Sequence, residues 1–112
     1  FRSIQAELRR RGVPTFIFSN TNELAIEHVR RTYPFFGNFD GLVLSYEHGA
    51  MKPDARLYEV VERMSGCSGA ELLYIDDLPK NIEGGRARGW QVILQEDTAK
   101  TIAAIRLTGL LD

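Results

Sequence analysis

Residues 72–95 read LLYIDDLPKNIEGGRARGWQVILQ, and the fold turns on this stretch. Leu72 to Ile75 form a short apolar run that stops abruptly at two acids, Asp76 and Asp77. Helical spacing through Ile82 and Ala87 comes next and is closed by Gly89. Gln91 to Gln95 then supply another apolar run. Strand, helix and strand in that order make a βαβ unit, whose strands are expected to run parallel. Gly84-Gly85 inside the helix costs up to about 1 kcal/mol per glycine relative to alanine. The pair therefore predicts close packing against the sheet.

The same alternation extends upstream. Phe1, Ile4 and Leu8 follow helical spacing that ends at Gly12. VPTFIFSN (13–20) is a short apolar run, with Pro14 tolerable only near the strand's start. Asn22 can cap NELAIEHVRRTY, in which Leu24, Ala25, His28 and Val29 are read as one face. FFGNFDG is a loop leading to LVLS (42–45). Pro53 suits the first helical position of PDARLYEVVERM, with Leu57, Val60, Val61 and Met64 as the buried stripe and Gly66 as its end. Downstream, Asp97 or Thr98 caps a last helix through Ile102 and Ile105. Four strands separated by helices predict one three-layer, mostly parallel, Rossmann-like α/β domain over residues 1–112.

In open parallel sheets, ligands sit beyond the carboxyl ends of the strands. The unusual polar groups fall there. The first strand ends in Ser19-Asn20-Thr21-Asn22, the loop after the second leads to Lys52, and the third ends in Asp76-Asp77. A hydroxyl, an ammonium and paired carboxylates on one rim suit phosphoryl transfer, where positioning and charge neutralisation do most of the work. Adjacent carboxylates repel unless a cation neutralises them, and hard oxygen ligands without cysteine partners suit Mg²⁺. Asn81, one turn on, is placed to support the lysine or the metal. A receiver domain carries similar groups, but with the acids early and the lysine late, the reverse of this order.

Three segments carry a resemblance: FIFSNTN (16–22), MKPDARLYE (51–59) and YIDDLPKNIEGGRARGW (74–90). In that order they resemble the second, third and fourth motifs of the haloacid dehalogenase (HAD) superfamily, and the likeness covers about Val13 to Leu94. The paired acids point to its magnesium-dependent phosphatase branch, similar to small sugar-phosphate phosphatases. The resemblance implies that Ser19 and Asn20 bind phosphate and that Lys52 steadies its charge. It also implies that Asp77 ligates Mg²⁺ with Asp76 in or beside the coordination shell, and that Asn81 supports the site. The expected chemistry is hydrolysis of a small phosphomonoester through an aspartyl-phosphate.

One family element is missing. The first motif, an Asp-x-Asp that supplies the nucleophile, does not occur in these residues. Phe39-Asp40-Gly41 lies after the second motif and lacks a partner acid. The first-motif strand and the cap between the first and second motifs are thus expected to be absent. The chain reads as the C-terminal part of a core domain, inactive alone, with open strand edges that invite self-association or pairing with the missing segment. A non-catalytic, degenerate α/β module is the alternative.

Composition narrows the partners. Net charge is −1, which provides no broad field for nucleic acid or an anionic membrane. No apolar run approaches the roughly 20 residues that span a bilayer, so the cytoplasm is the expected address. The single cysteine, Cys67, excludes an internal disulfide and lacks a neighbouring base. His28 is read as a packed or half-exposed helix residue, and His48 lies near the rim.

Overall fold

The computed structural model describes residues 2–33, 37 and 39–107. The elements alternate in the expected order: α1 (Arg2–Arg10), β1 (Phe16–Ser19), α2 (Glu23–Thr32), β2 (Gly41–Leu44), α3 (Ser45–His48), α4 (Ala55–Ser65), β3 (Leu73–Asp76), α5 (Pro79–Arg86), β4 (Gln91–Leu94) and α6 (Thr98–Leu107). A short 3₁₀ turn, Gly69–Glu71, leads into β3. Phe1 and the Pro34–Phe36 part of the aromatic loop lie outside the described residues, as does the side chain of Ile4.

The strands form two parallel ribbons. β1 pairs with β2 in the register Phe16↔Gly41 to Ser19↔Leu44, and β3 with β4 in the register Leu73↔Gln91 to Asp76↔Leu94. Among the described residues β1 and β3 are not paired, so the sheet is a partial one. Each ribbon is extended by flanking bonds: Asp40 N–H to Thr15 C=O (2.7 Å) and Gln95 N–H to Asp76 C=O (2.7 Å).

Side chains alternate across β3 and β4 as a pleated strand demands. Leu72 and Tyr74 join Val92 and Leu94 on the face covered by α4 and α5, with Val43, Leu57, Tyr58, Val60, Val61, Ile82 and Trp90. Leu73, Ile75 and Ile93 turn to the other face, where Leu8, Ile102 and Ile105 pack. The result is three layers. Phe18, Tyr58, Tyr74 and Trp90 form an aromatic cluster with centroids 5.0 to 6.5 Å apart, and it ties the two ribbons together.

Local expectations are met in part. Asn22 caps α2 by accepting from Ala25 N–H at 2.9 Å, and Asp97 caps α6 by accepting from Lys100 N–H at 3.0 Å. Gly66 ends α4 in the left-handed region, at φ 70°. The glycine pair does pack tightly: a Cβ on Gly84 would meet the Tyr58 ring at 2.6 Å, and one on Gly85 would meet Tyr74 at 3.0 Å.

Four readings are corrected. Pro53 is not the first residue of a helix. It lies in a turn closed by Asp54 N–H to Met51 C=O (2.8 Å), and Asp54 caps a helix that begins at Ala55. The buried residue of α2 is Ile26, whereas Leu24 is 78% exposed. Met64 is 46% exposed although it continues the α4 stripe. Ser45 is not the end of β2 but the first residue of α3. No helix among the described residues is long and apolar enough to cross a membrane.

Candidate active site

Lys52 organises the carboxyl rim. Its main chain is clamped by Asn20, whose side-chain oxygen accepts from Lys52 N–H at 2.7 Å while its amide donates to Lys52 C=O at 3.2 Å. The ammonium then reaches across the gap between the ribbons. Nζ donates to Phe18 C=O at 2.9 Å and to Asp76 Oδ2 at 2.7 Å. Both charged side chains are only 7% exposed. Nζ also stands 4.8 Å from the Phe18 ring centroid and 5.5 Å from that of Tyr74, a cation over aromatic faces.

Ser19 is thereby drawn to the same place. The residue before it gives its carbonyl to Lys52, and the residue after it clamps the Lys52 main chain. A second tie joins β1 to β2: Ser45 Oγ accepts from Thr21 N–H (2.8 Å) and donates to Thr21 C=O (3.0 Å). The Asn20 side chain is engaged in positioning Lys52. Contact with an anion from Asn20 would therefore come from its main chain.

Asp76 is held from several sides. Oδ2 accepts from Lys52, from the Tyr74 hydroxyl, and from Asn81 Nδ2 at 3.4 Å; Oδ1 accepts from Leu78 N–H at 2.9 Å. Burial works to raise its pKa, but the Lys52, Tyr74 and Leu78 donors together hold the carboxyl well below the usual carboxylate range. Burial, reinforced by the bond to Asp76, pushes the Tyr74 hydroxyl strongly upward. Asp77, the first residue past the strand, is exposed at the rim.

Asn81 is 1% exposed, and its Oδ1 has no hydrogen-bond partner among the described residues. Its carbonyl accepts from the Tyr58 hydroxyl at 2.6 Å. Asp40 lies at the opposite, amino end of the sheet, where its carboxylate accepts Thr15 N–H at 2.6 Å. There it ties the start of β2 to the start of β1. His48 is exposed on α3, and His28 is exposed on α2 with Nε2 3.5 Å from Thr32 Oγ1.

Sequence reading missed Tyr74. In LLYI it passes as one more apolar strand residue. The available signal was its spacing of two from Asp76, which puts both side chains on one face.

A sequence profile described as haloacid dehalogenase-like hydrolase matches residues 2–89. The chain belongs to this family. Among its curated relatives, a sesquiterpene phosphatase of Aspergillus oryzae is 28% identical over 93% of this chain and 53% of its own length. A haloacetate dehalogenase of a Moraxella species is 32% identical over 76% of this chain and 38% of its own length. This HAD-like chain thus spans about half, or less, of the curated relatives it matches. Among solved structures, a HAD family enzyme of Bacteroides thetaiotaomicron, in complex with magnesium and inorganic phosphate, superposes with a TM-score of 0.75 at 23% identity. That match covers 88% of this chain and 55% of the other, and it shows a shared fold.

The donor set at the rim fits a hydrated Mg²⁺. Among the described residues no group of three or more His, Cys, Asp or Glu side chains could cage a metal. Mg²⁺, however, usually keeps several waters and takes only one or two carboxylates together with a ligand's phosphate. One exposed carboxylate at the rim, Asp77, suits that mode, and Asn81 keeps a buried oxygen without a hydrogen-bond partner among the described residues.

Proposed function

We propose that the protein hydrolyses a small phosphomonoester, a sugar phosphate or similar metabolite, and that Ser19, Asn20 and Lys52 hold the phosphate. The observation that carries this reading is the convergence of β1, the Lys52 loop and β3 on one buried ammonium–carboxylate pair at the carboxyl rim. Two of the three ammonium donors of Lys52 go to Phe18 and Asp76. The third is the one a phosphate oxygen takes, with the Ser19 hydroxyl and the Asn20 main chain as neutral donors.

Asp77 would hold Mg²⁺, with Asp76 behind it and Asn81 in support. When bound, the ion supplies charge neutralisation to the phosphoryl oxygens. Lys52 holds its ammonium against the anion while Asp76 fixes where that ammonium stands. An aspartyl-phosphate route needs an Asp-x-Asp strand, which these 112 residues do not contain. The open edges of β1 and β3 suit a strand inserted between them, so we assign the nucleophile to such a segment and expect the chain alone to be inactive. Without it, those edges favour self-association.

The likeness to a dehalogenase raises a second chemistry, carbon–halogen cleavage. The second acid, Asp77, argues against it, because that chemistry uses no cation at this position. A non-catalytic module would suit a sheet closed without a gap and Lys52 turned away from Asp77; among the described residues β1 and β3 are not paired, and Lys52 is bonded to Asp76, the neighbour of Asp77.

The test is release of phosphate from a generic aryl phosphate, and of halide from a 2-haloacid, by the chain with and without a peptide carrying an Asp-x-Asp strand. Magnesium-dependent phosphate release only with the peptide, abolished by Asp77→Ala, is the expected result. Turnover without the peptide would mean that a residue present here is the nucleophile. Metal-independent halide release would replace the phosphatase reading.

A further inference from the structure

We propose that Tyr74 is a positioning residue for the rim, whose hydroxyl locks Asp76 onto Lys52 and thereby sets where the Lys52 ammonium stands. Its importance for phosphate rests on the reading of Lys52 given above, but the contact itself does not.

A carboxylate on a short stem turns readily, because its terminal torsion is broad and two-fold. Holding it needs donors on both oxygens. Leu78 N–H holds Oδ1, and Lys52, Tyr74 and Asn81 share Oδ2, with the Asn81 contact long at 3.4 Å. Leu78 and Asn81 belong to the loop and helix that follow β3. Tyr74 alone donates from within the strand, out of the core. Its side chain is fixed by packing: the residue is 7% exposed, and its ring meets Phe18 at 5.5 Å, Tyr58 at 6.0 Å and Trp90 at 5.8 Å. A phenol buried this deeply needs an acceptor for its O–H: Asp76 Oδ2 accepts it, and the Tyr58 hydroxyl, which itself donates to Asn81 C=O, is the neighbouring group.

Lys52 ends a flexible four-carbon stem and would otherwise sample many positions. Tyr74 restrains it twice, through the shared Oδ2 and through the ring 5.5 Å from Nζ. Tyr74→Phe keeps the ring and the packing and removes only the hydroxyl.

The experiment follows the ζ-ammonium protons of Lys52 by ¹⁵N NMR in the 112-residue chain. Buried and doubly bonded, they should exchange slowly with water. Tyr74→Phe should speed that exchange about fivefold and weaken inorganic phosphate binding by a similar factor. Trp90→Phe is the packing control. It disturbs the same aromatic cluster and removes the indole bond to Glu62 (3.0 Å), so it should lower stability yet leave Lys52 exchange within about twofold of the unaltered chain. Unchanged exchange in Tyr74→Phe, or equal acceleration in Trp90→Phe, would overturn the proposal. A measurement without any substitution decides it too: the Tyr74 hydroxyl proton should give a slowly exchanging downfield signal, and a freely exchanging one would sink the idea. If inorganic phosphate fails to move the Lys52 signal of the unaltered chain, the phosphate reading of the rim falls. The exchange rates still decide the role of Tyr74.

Discussion

At the scale of single residues, the Lys52–Asp76 pair shows how burial turns a bland lysine into a structural necessity. Each side chain is 7% exposed, so removing one charge leaves the other desolvated and unpaired. Lys52→Met should cost about 3 kcal/mol in urea unfolding. Lys52→Met combined with Asp76→Leu should be more stable than the single Lys52 variant, because no lone buried charge remains. Acid should act through the same logic. The Arg88 guanidinium bonded to Glu62 at 2.5 and 2.9 Å, helped by the Trp90 indole, holds that carboxyl below its ordinary range against the opposing effect of burial. A carboxyl lower in the folded than in the unfolded state stabilises above its unfolded pKa, and that contribution is lost as pH falls through the folded one. Melting temperature should therefore drop as pH is lowered below about 4. Glu62→Gln should flatten that acid limb while lowering stability at neutral pH.

At the scale of elements, helix α5 is set by the two glycines that sequence reading flagged. Alanine at Gly84 would gain up to about 1 kcal/mol of helix propensity. It would also press on the Tyr58 ring and hydroxyl at 2.6 Å, the group that donates to Asn81 C=O. The clash should win, with Gly84→Ala losing about 1–3 kcal/mol in chemical denaturation. A gain in stability would mean that the helix shifts freely on α4. The α2 helix teaches the opposite lesson. Periodicity allowed a face of Leu24, Ala25, His28 and Val29, yet Ile26 is the residue driven inward. Helical spacing defines several faces, and only the neighbouring layer selects one. The cap at Asn22 was readable because a cap is a local hydrogen bond.

At the scale of the whole molecule, among the described residues two ribbons are joined by side chains instead of a continuous ladder. Phe18 is the principal joint on the β1 side, since its ring meets Tyr58, Tyr74 and Trp90 and its carbonyl holds Lys52. Phe18→Ala should cost about 3 kcal/mol. It should also raise amide hydrogen exchange in β1 and β2 more than in β3 and β4. Uniform acceleration would indicate that the ribbons unfold as one unit despite the missing ladder.

The order of strands and helices, the parallel pairing within each ribbon and the rim carrying Ser19, Lys52 and Asp76-Asp77 were all legible from the residues. They depend on short-range patterning and on the rule that parallel strands deliver their ends to one edge. The gap between β1 and β3 was legible as well, from the motif that is not there. Tertiary structure alone decided how the acids divide their work. Asp76 turns inward to Lys52 and Tyr74, and Asp77 is left at the surface. It likewise decided that the Asn20 side chain serves Lys52, a residue 32 positions away. The physical reason is the same in both cases. A carboxylate or an amide takes whichever donors the packing brings within about 3 Å, and the spacing of residues along a chain does not encode which donors those are.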